Sequence, residues 1–170
     1  GELGVKLKVT RQVLGWVWPK KPELFTADRF PVWVADADKG AVYYGFPITP
    51  DGSGGVGLKT ALHFPAKETD PDTVEREPLP GDEDEVRKGF QRFIPEGDGP
   101  LLSQQVCLYT NTPDGHFIVD QHPECNRATI ACGFSGHGFK FASVMGTVLA
   151  DLATDGKTDW PIGFLGLSRF

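Results

Sequence analysis

Between Ala128 and Leu152 the chain passes from a β-prone run through three closely spaced glycines into a helical repeat, an order that few folds accommodate. Ala128 to Cys132 is short, apolar and suited to a strand. Phe141, Val144, Met145, Val148, Leu149 and Leu152 recur at i, i+3, i+4, i+7, i+8 and i+11, one stripe of an α-helix that stops before Gly156. Gly133, Gly136 and Gly138 occupy the turn between them. Glycine lets another group approach the backbone closely, and a helix start offers unpaired N–H groups and about half a positive charge. Two readings stand: an electron-rich group is held there, or the turn serves packing alone.

The preceding chain is strand-rich. Val5 to Trp18 alternates, is rich in β-branched and aromatic residues, and ends at Pro19, which predicts one or two strands. Pro31 to Val34 and Ala41 to Phe46 pair as a hairpin across Asp36 to Gly40. Gly52, Gly54 and Gly57 then satisfy the G-x-G-x-x-G spacing of dinucleotide sites. That motif requires a helix directly after it. A period of two follows instead, from Val56 to Phe64, so the glycines form a hairpin loop and a strand comes next. The same period puts Lys59 and His63 on the face opposite Leu58, Leu62 and Phe64. A cation and an imidazole so placed line a polar cavity or lie on a solvated outer face.

Lys67 to Asp84 reads as a polar, acidic, proline-rich surface loop leading into a helix from Asp82 to Ile94. Val86, Phe90, Phe93 and Ile94 share one helix face, with acids in the first turn and Arg87, Lys88 and Arg92 after them. Leu101 to Thr110 is a strand that carries Cys107, which composition alone makes a buried, inert thiol. A turn over Asn111 to Gly115 leads to a strand from His116 to Asp120, and His116 and His122 read as structural. The tail from Lys157 to Phe170 is expected to be an extended segment packed on the domain surface.

Composition removes several function classes. A net charge of −6 argues against a nucleic-acid partner, since phosphate neutralisation needs a basic face. No apolar run approaches the ~20 residues of a membrane helix. The odd set of Cys107, Cys125 and Cys132 contains no C-x-x-C, which suggests neither a metal site nor a disulfide framework and fits a cytoplasmic setting.

GFSGHGFKF (Gly133 to Phe141), CLYTNTPD (Cys107 to Asp114) and HFIVD (His116 to Asp120) together resemble the C-terminal part of the monomeric sarcosine oxidase and N-methyltryptophan oxidase family, FAD-dependent amine oxidases. The resemblance runs from about Val9 to the C-terminus. It implies a longer protein, whose N-terminal FAD-binding portion with its G-x-G-x-x-G helix is absent here. It implies covalent attachment of FAD through Cys107, and catalytic roles for Lys59 (oxygen activation near flavin N5), His63 and Tyr44. It implies that Lys140 and Gly136 join His63 and Tyr44 in binding substrate. Gly133, Ser135, Gly136, His137, Gly138 and Lys140 would face the cofactor. The Arg11-Gln12 pair also has a counterpart in the family, with no chemistry assigned to it.

The expected architecture is α+β. A mostly antiparallel substrate domain with a flanking helix spans 1–113, and a strand-helix piece of the FAD-binding domain spans 114–170. That last piece is expected to expose apolar surface, through which the chain would oligomerise or meet its missing portion. The expected partners are a secondary amine or amino acid and molecular oxygen, with an imine and hydrogen peroxide as products. Two alternatives remain: a fragment that cannot bind FAD alone, and a flavin amine dehydrogenase using another acceptor.

Overall fold

The computed structural model describes residues 3–170. The chain is α+β and divides into two compact units, 11–108 and 1–10 with 109–170. The sequence reading places one domain boundary after residue 113; the boundaries of the compact units fall at 10/11 and 108/109.

The strands are β1 (Lys8–Val17), β2 (Trp33–Asp36), β3 (Val42–Phe46), β4 (Leu58–Phe64), β5 (Lys67–Glu68) and β6 (Leu101–Asn111). They form one sheet in the order β2-β3-β4-β1-β5, with β6 also paired to β1. The β1–β4, β2–β3 and β3–β4 pairs are antiparallel. The expected hairpin between β2 and β3 is present, turned by Lys39 and Gly40 with φ of 62° and 77°. The glycine-rich segment is likewise the loop of the β3–β4 hairpin, with no helix after it.

In the unit 11–108, helix α1 (Asp82–Phe93) covers one face of this sheet. Its Val86 and Phe90 are fully buried in a cluster with Val17, Phe25 and Leu58. Each such side chain contributes about 1.5–3 kcal/mol relative to exposure. Two glycines let the layers close. A Cβ at Gly15 of β1 would overlap the Val86 side chain, and one at Gly89 of α1 would overlap the Tyr43 ring. The Tyr43 hydroxyl donates to Glu85 Oε1 at 2.7 Å. Burial followed by this bond pushes the tyrosine pKa well above its ordinary value.

The loop expected between Phe64 and α1 contains β5 and is tied down by Arg11. The Arg11 guanidinium donates to the carbonyls of Glu75 and Glu77 and to both oxygens of Asp82. Asp82 is therefore a bound carboxylate.

In the other unit, β7 (Ile118–His122) and β8 (Cys125–Cys132) form an antiparallel two-stranded sheet, so the strand expected from Ala128 begins earlier. Helix α2 (Ala142–Asp155) follows and ends at Gly156, in the left-handed conformation with φ 68°. Val148 and Leu152 of its stripe are buried with Phe117, Val119 and Leu165. The tail is not extended. It makes 3-10 turns at Gly163–Leu165 and Leu167–Arg169, because Leu165 enters this core and Arg169 binds back to the Asp114 carboxylate. Phe139 (96%) and Phe164 (62%) are exposed, as the sequence led one to expect of apolar groups in this segment.

Candidate functional site

The sequence-selected residues fall into two groups, one in each unit. In the unit 11–108, strand register decides which side chains meet. Lys59 sits opposite Trp16 of β1 and Phe46 of β3, and Ala61 opposite Leu14 and Tyr44. Paired residues share a face, so Trp16, Tyr44, Phe46, Lys59 and His63 all point away from α1. The alternation read from the sequence is correct for Leu58, but Phe64 on that same set is 39% exposed. It is the last residue of the strand.

The Lys59 Nζ stands 5.0 Å from the Trp16 ring centroid and 5.1 Å from that of Phe46. The ammonium is half-buried between two π-faces. Burial lowers its pKa below that of an ordinary lysine, and a charge on Cys107 acts in the opposite sense. His63 packs edge-on to Tyr44, with ring centroids 5.7 Å apart. Cys107 is exposed, not the buried thiol that its residue type suggests; no residue of β6 is buried, and Leu102, Ser103 and Gln105 are exposed as well. The structure thus gathers Lys59, His63 and Tyr44 on one aromatic face.

Trp16 and Phe46 were not singled out in the sequence. Their signal was there in the period-two pattern: each is an aromatic residue in the register of Lys59 on a neighbouring strand.

In the other unit the glycine turn carries the second group. Gly133 and Gly136 have φ of 64° and 77°. The space a Cβ would need is taken by Thr112 at Gly133, by the Tyr109 ring at Gly136 and by Phe134 at Gly138. Of the two readings of this turn, close packing by the chain's own side chains is what these three positions display. Ser135 is buried and fully engaged. Its N–H donates to the Thr110 carbonyl at 3.0 Å, and its hydroxyl donates to Gly133 O at 3.1 Å and accepts from the Thr112 N–H at 3.3 Å. It braces the turn.

Phe139–Phe141 form a 3-10 turn before α2, so Lys140 precedes the helix and is not within its first turns. The Lys140 Nζ is exposed, donates to the His137 carbonyl at 3.1 Å and lies 5.4 Å from the Phe141 ring centroid. His137 Nε2 is 3.0 Å from Gly115 O, and its ring is 4.9 Å from Phe117. Both side chains line an apolar cavity of about 260 Å³ walled by Phe117, Phe141, Met145 and Phe164. An apolar hollow with the imidazoles of His116 and His137 and one ammonium at its wall suits a planar or aliphatic group that carries an acceptor or an anion. Among the described residues no group of three or more His, Cys, Asp or Glu side chains is placed to hold a metal ion.

Residues 3–152 match the FAD dependent oxidoreductase (DAO) family, and the chain belongs to that family. Within it, the chain is 41% identical over 170 residues to monomeric sarcosine oxidase of Bacillus sp. (strain NS-129), covering 99% of the chain and 43% of that relative. It is 34% identical over 167 residues to N-methyl-L-tryptophan oxidase of Escherichia coli O157:H7, covering 94% of the chain and 42% of the relative. The chain therefore spans less than half the length of the curated relatives it matches. Among solved structures, NikD, an amino acid oxidase of nikkomycin biosynthesis, superposes with a TM-score of 0.75 at 19% identity, over 96% of this chain and 43% of that one. The L-proline dehydrogenase of P. horikoshii superposes with a TM-score of 0.74 at 25% identity, over 98% and 41%.

The side chains present fit the family's cofactor. An accessible thiol at Cys107 can carry a covalent bond, the half-buried Lys59 cation complements negative charge, and the aromatic face offers a flat apolar wall.

Proposed function

We propose that this chain is the C-terminal part of an FAD-dependent oxidase. The whole protein would oxidise the C–N bond of a secondary amino acid, such as sarcosine or another N-methyl amino acid, to an imine, with hydrogen peroxide as the second product. The observation that carries this reading is the Lys59 ammonium, held between the Trp16 and Phe46 rings on the face it shares with Tyr44 and His63. The names of the relatives support the class of substrate.

When bound, FAD supplies the two-electron acceptor and passes those electrons to oxygen. Cys107 would hold it covalently. Lys59 would present a fixed positive charge where oxygen is reduced, and a charge aligned beforehand in a low-dielectric site needs no rearrangement during reaction. Tyr44 and His63 would border the substrate on the same face. Lys140 would act as a point charge for the substrate carboxylate. His137 and the backbone at Gly133, Gly136 and Gly138 would border the cofactor. We further propose that this chain alone is inactive, that the remaining length found in its relatives completes the cofactor site, and that the protein works in the cytoplasm, where its free thiols stay reduced.

Purification of the intact protein tests this. A yellow protein whose flavin stays with the polypeptide after acid precipitation, and loses it on Cys107→Ala, is the expected result. Peroxide release with N-methyl amino acids would accompany it. Flavin freed by acid from the unaltered protein overturns the covalent link, and substrate oxidation without peroxide indicates a dehydrogenase.

A further inference from the structure

The Gly52–Gly57 segment imitates a nucleotide-binding fingerprint, yet it packs against the residue that holds Lys59. The Trp16 indole N–H donates to the Gly54 carbonyl at 2.7 Å. Gly55, with φ 91°, lies so close to the indole that a Cβ there would overlap Trp16 Nε1. The loop is itself braced. Gly54 N–H donates to Thr49 Oγ1 at 3.1 Å, Gly55 N–H to Gly52 O at 2.9 Å, and Ser53 N–H to Asp51 Oδ1 at 3.0 Å. The indole, 6% exposed, is thus fixed along its polar edge while its face meets the Lys59 ammonium at 5.0 Å. Phe46 supplies the second wall at 5.1 Å. A cation between aromatic faces is attracted by their quadrupoles, and the attraction depends on ring orientation.

We propose that the Gly52–Gly57 loop is a positioning element for Lys59: its Gly54 carbonyl and the bare face of Gly55 set the Trp16 indole, and the indole with Phe46 sets the ammonium. Trp16 is a positioning residue, acting through Lys59. The inference deepens the proposed oxidase reading and rests on it for its functional meaning, while the arrangement itself stands on this chain's own contacts.

Competitive acetylation of the protein across pH, with each lysine resolved by mass spectrometry, reads Lys59 directly and needs no bound flavin. In the unaltered protein, at a pH high enough to deprotonate lysine amines, Lys59 reacts more slowly than exposed lysines such as Lys20, because the Trp16 and Phe46 rings shield it. Trp16→Ala speeds Lys59 acetylation several-fold at that pH, whereas Trp16→Phe, which keeps a ring, speeds it less. Gly55→Ala reproduces the alanine effect with Trp16 and Lys59 both in place. Gly52→Ala is the control: it bears the same kind of backbone strain, at φ 67°, but its Cβ meets nothing within 4 Å, so Lys59 labelling stays unchanged. Equal effects of Gly55→Ala and Gly52→Ala overturn the proposal, and so does a Trp16→Ala protein with unaltered Lys59 labelling. Because flavin retention and peroxide release are separate readouts, this inference and the oxidase reading can fail independently.

Discussion

The Arg11 guanidinium grips the Asp82 carboxylate with both Nη atoms, at 2.9 and 2.8 Å, and so fastens the start of β1 to the start of α1. Both side chains are mostly shielded, at 14% and 16% exposure. Gly81 gives α1 no side-chain cap, and Asp82 Oδ2 instead accepts the Leu79 N–H at 2.6 Å. One carboxylate therefore serves the arginine, the loop and the helix start.

Asp82→Asn is expected to destabilise the protein by about 2 kcal/mol, the scale of charge-assisted hydrogen bonds. The bond from Arg11 holds the Asp82 carboxyl below the usual carboxylate range. A depressed folded-state pKa stabilises the native state above the unfolded value, about 3.9, and that contribution fades as pH falls through the folded one. Urea titrations should give a constant gap between the unaltered protein and Asp82→Asn from pH 7 to about 5, closing below about pH 4. A gap that persists into strong acid counts against the ion pair.

Gly15→Ala should cost about 1–3 kcal/mol by overpacking, because its Cβ would overlap Val86. Val86→Ala on its own leaves a void and also destabilises the protein. Combined, the two should cost less than their sum, since each relieves the other. Thermal melts of the four proteins in this cycle measure the coupling.

Lys59→Met should fold and stay within about 1 kcal/mol of the unaltered protein, because the loss of cation–π attraction is offset by an end to half-burying a charge. The Lys59 pKa is lowered by burial, so the unfolded state binds more protons between the folded value and about 10.4. Stability of the unaltered protein relative to Lys59→Met should therefore rise with pH across that window. Denaturant midpoints at pH 8 and pH 10 decide the sign. In the intact enzyme the same variant should slow flavin reoxidation far more than flavin reduction, and stopped-flow traces showing equal losses would remove the oxygen role.

Arg169→Gln should loosen the turn after β6. Arg169 Nε donates to Asp114 Oδ2 at 2.8 Å, and Asp114 Oδ1 accepts the His116 N–H at 3.0 Å. Hydrogen exchange at the His116 amide should quicken, while amides in the β1–β4 pair should keep their protection.

Much of this was legible from the chain. Hairpin turns announce themselves through glycine and asparate-rich punctuation, and the stripes of α1 and α2 through a spacing of three and four, because those signals are local. Phe64 and the tail misled for the same reason: whether an apolar side chain is covered depends on which distant element lies over it, which a local pattern does not record. Arg11 carried no local sign of its role, since its partners lie more than sixty positions away. At the glycine turn, the sequence could say that bulk was forbidden but not whose atoms forbade it.

That last distinction governs how variants in the turn must be interpreted. Replacing Gly136 would damage any activity simply by driving a methyl group into Tyr109, so a dead Gly136 variant carries no information about ligands. Trimming Tyr109 first, then restoring bulk at Gly136, separates a crowded interior from an occupied binding surface.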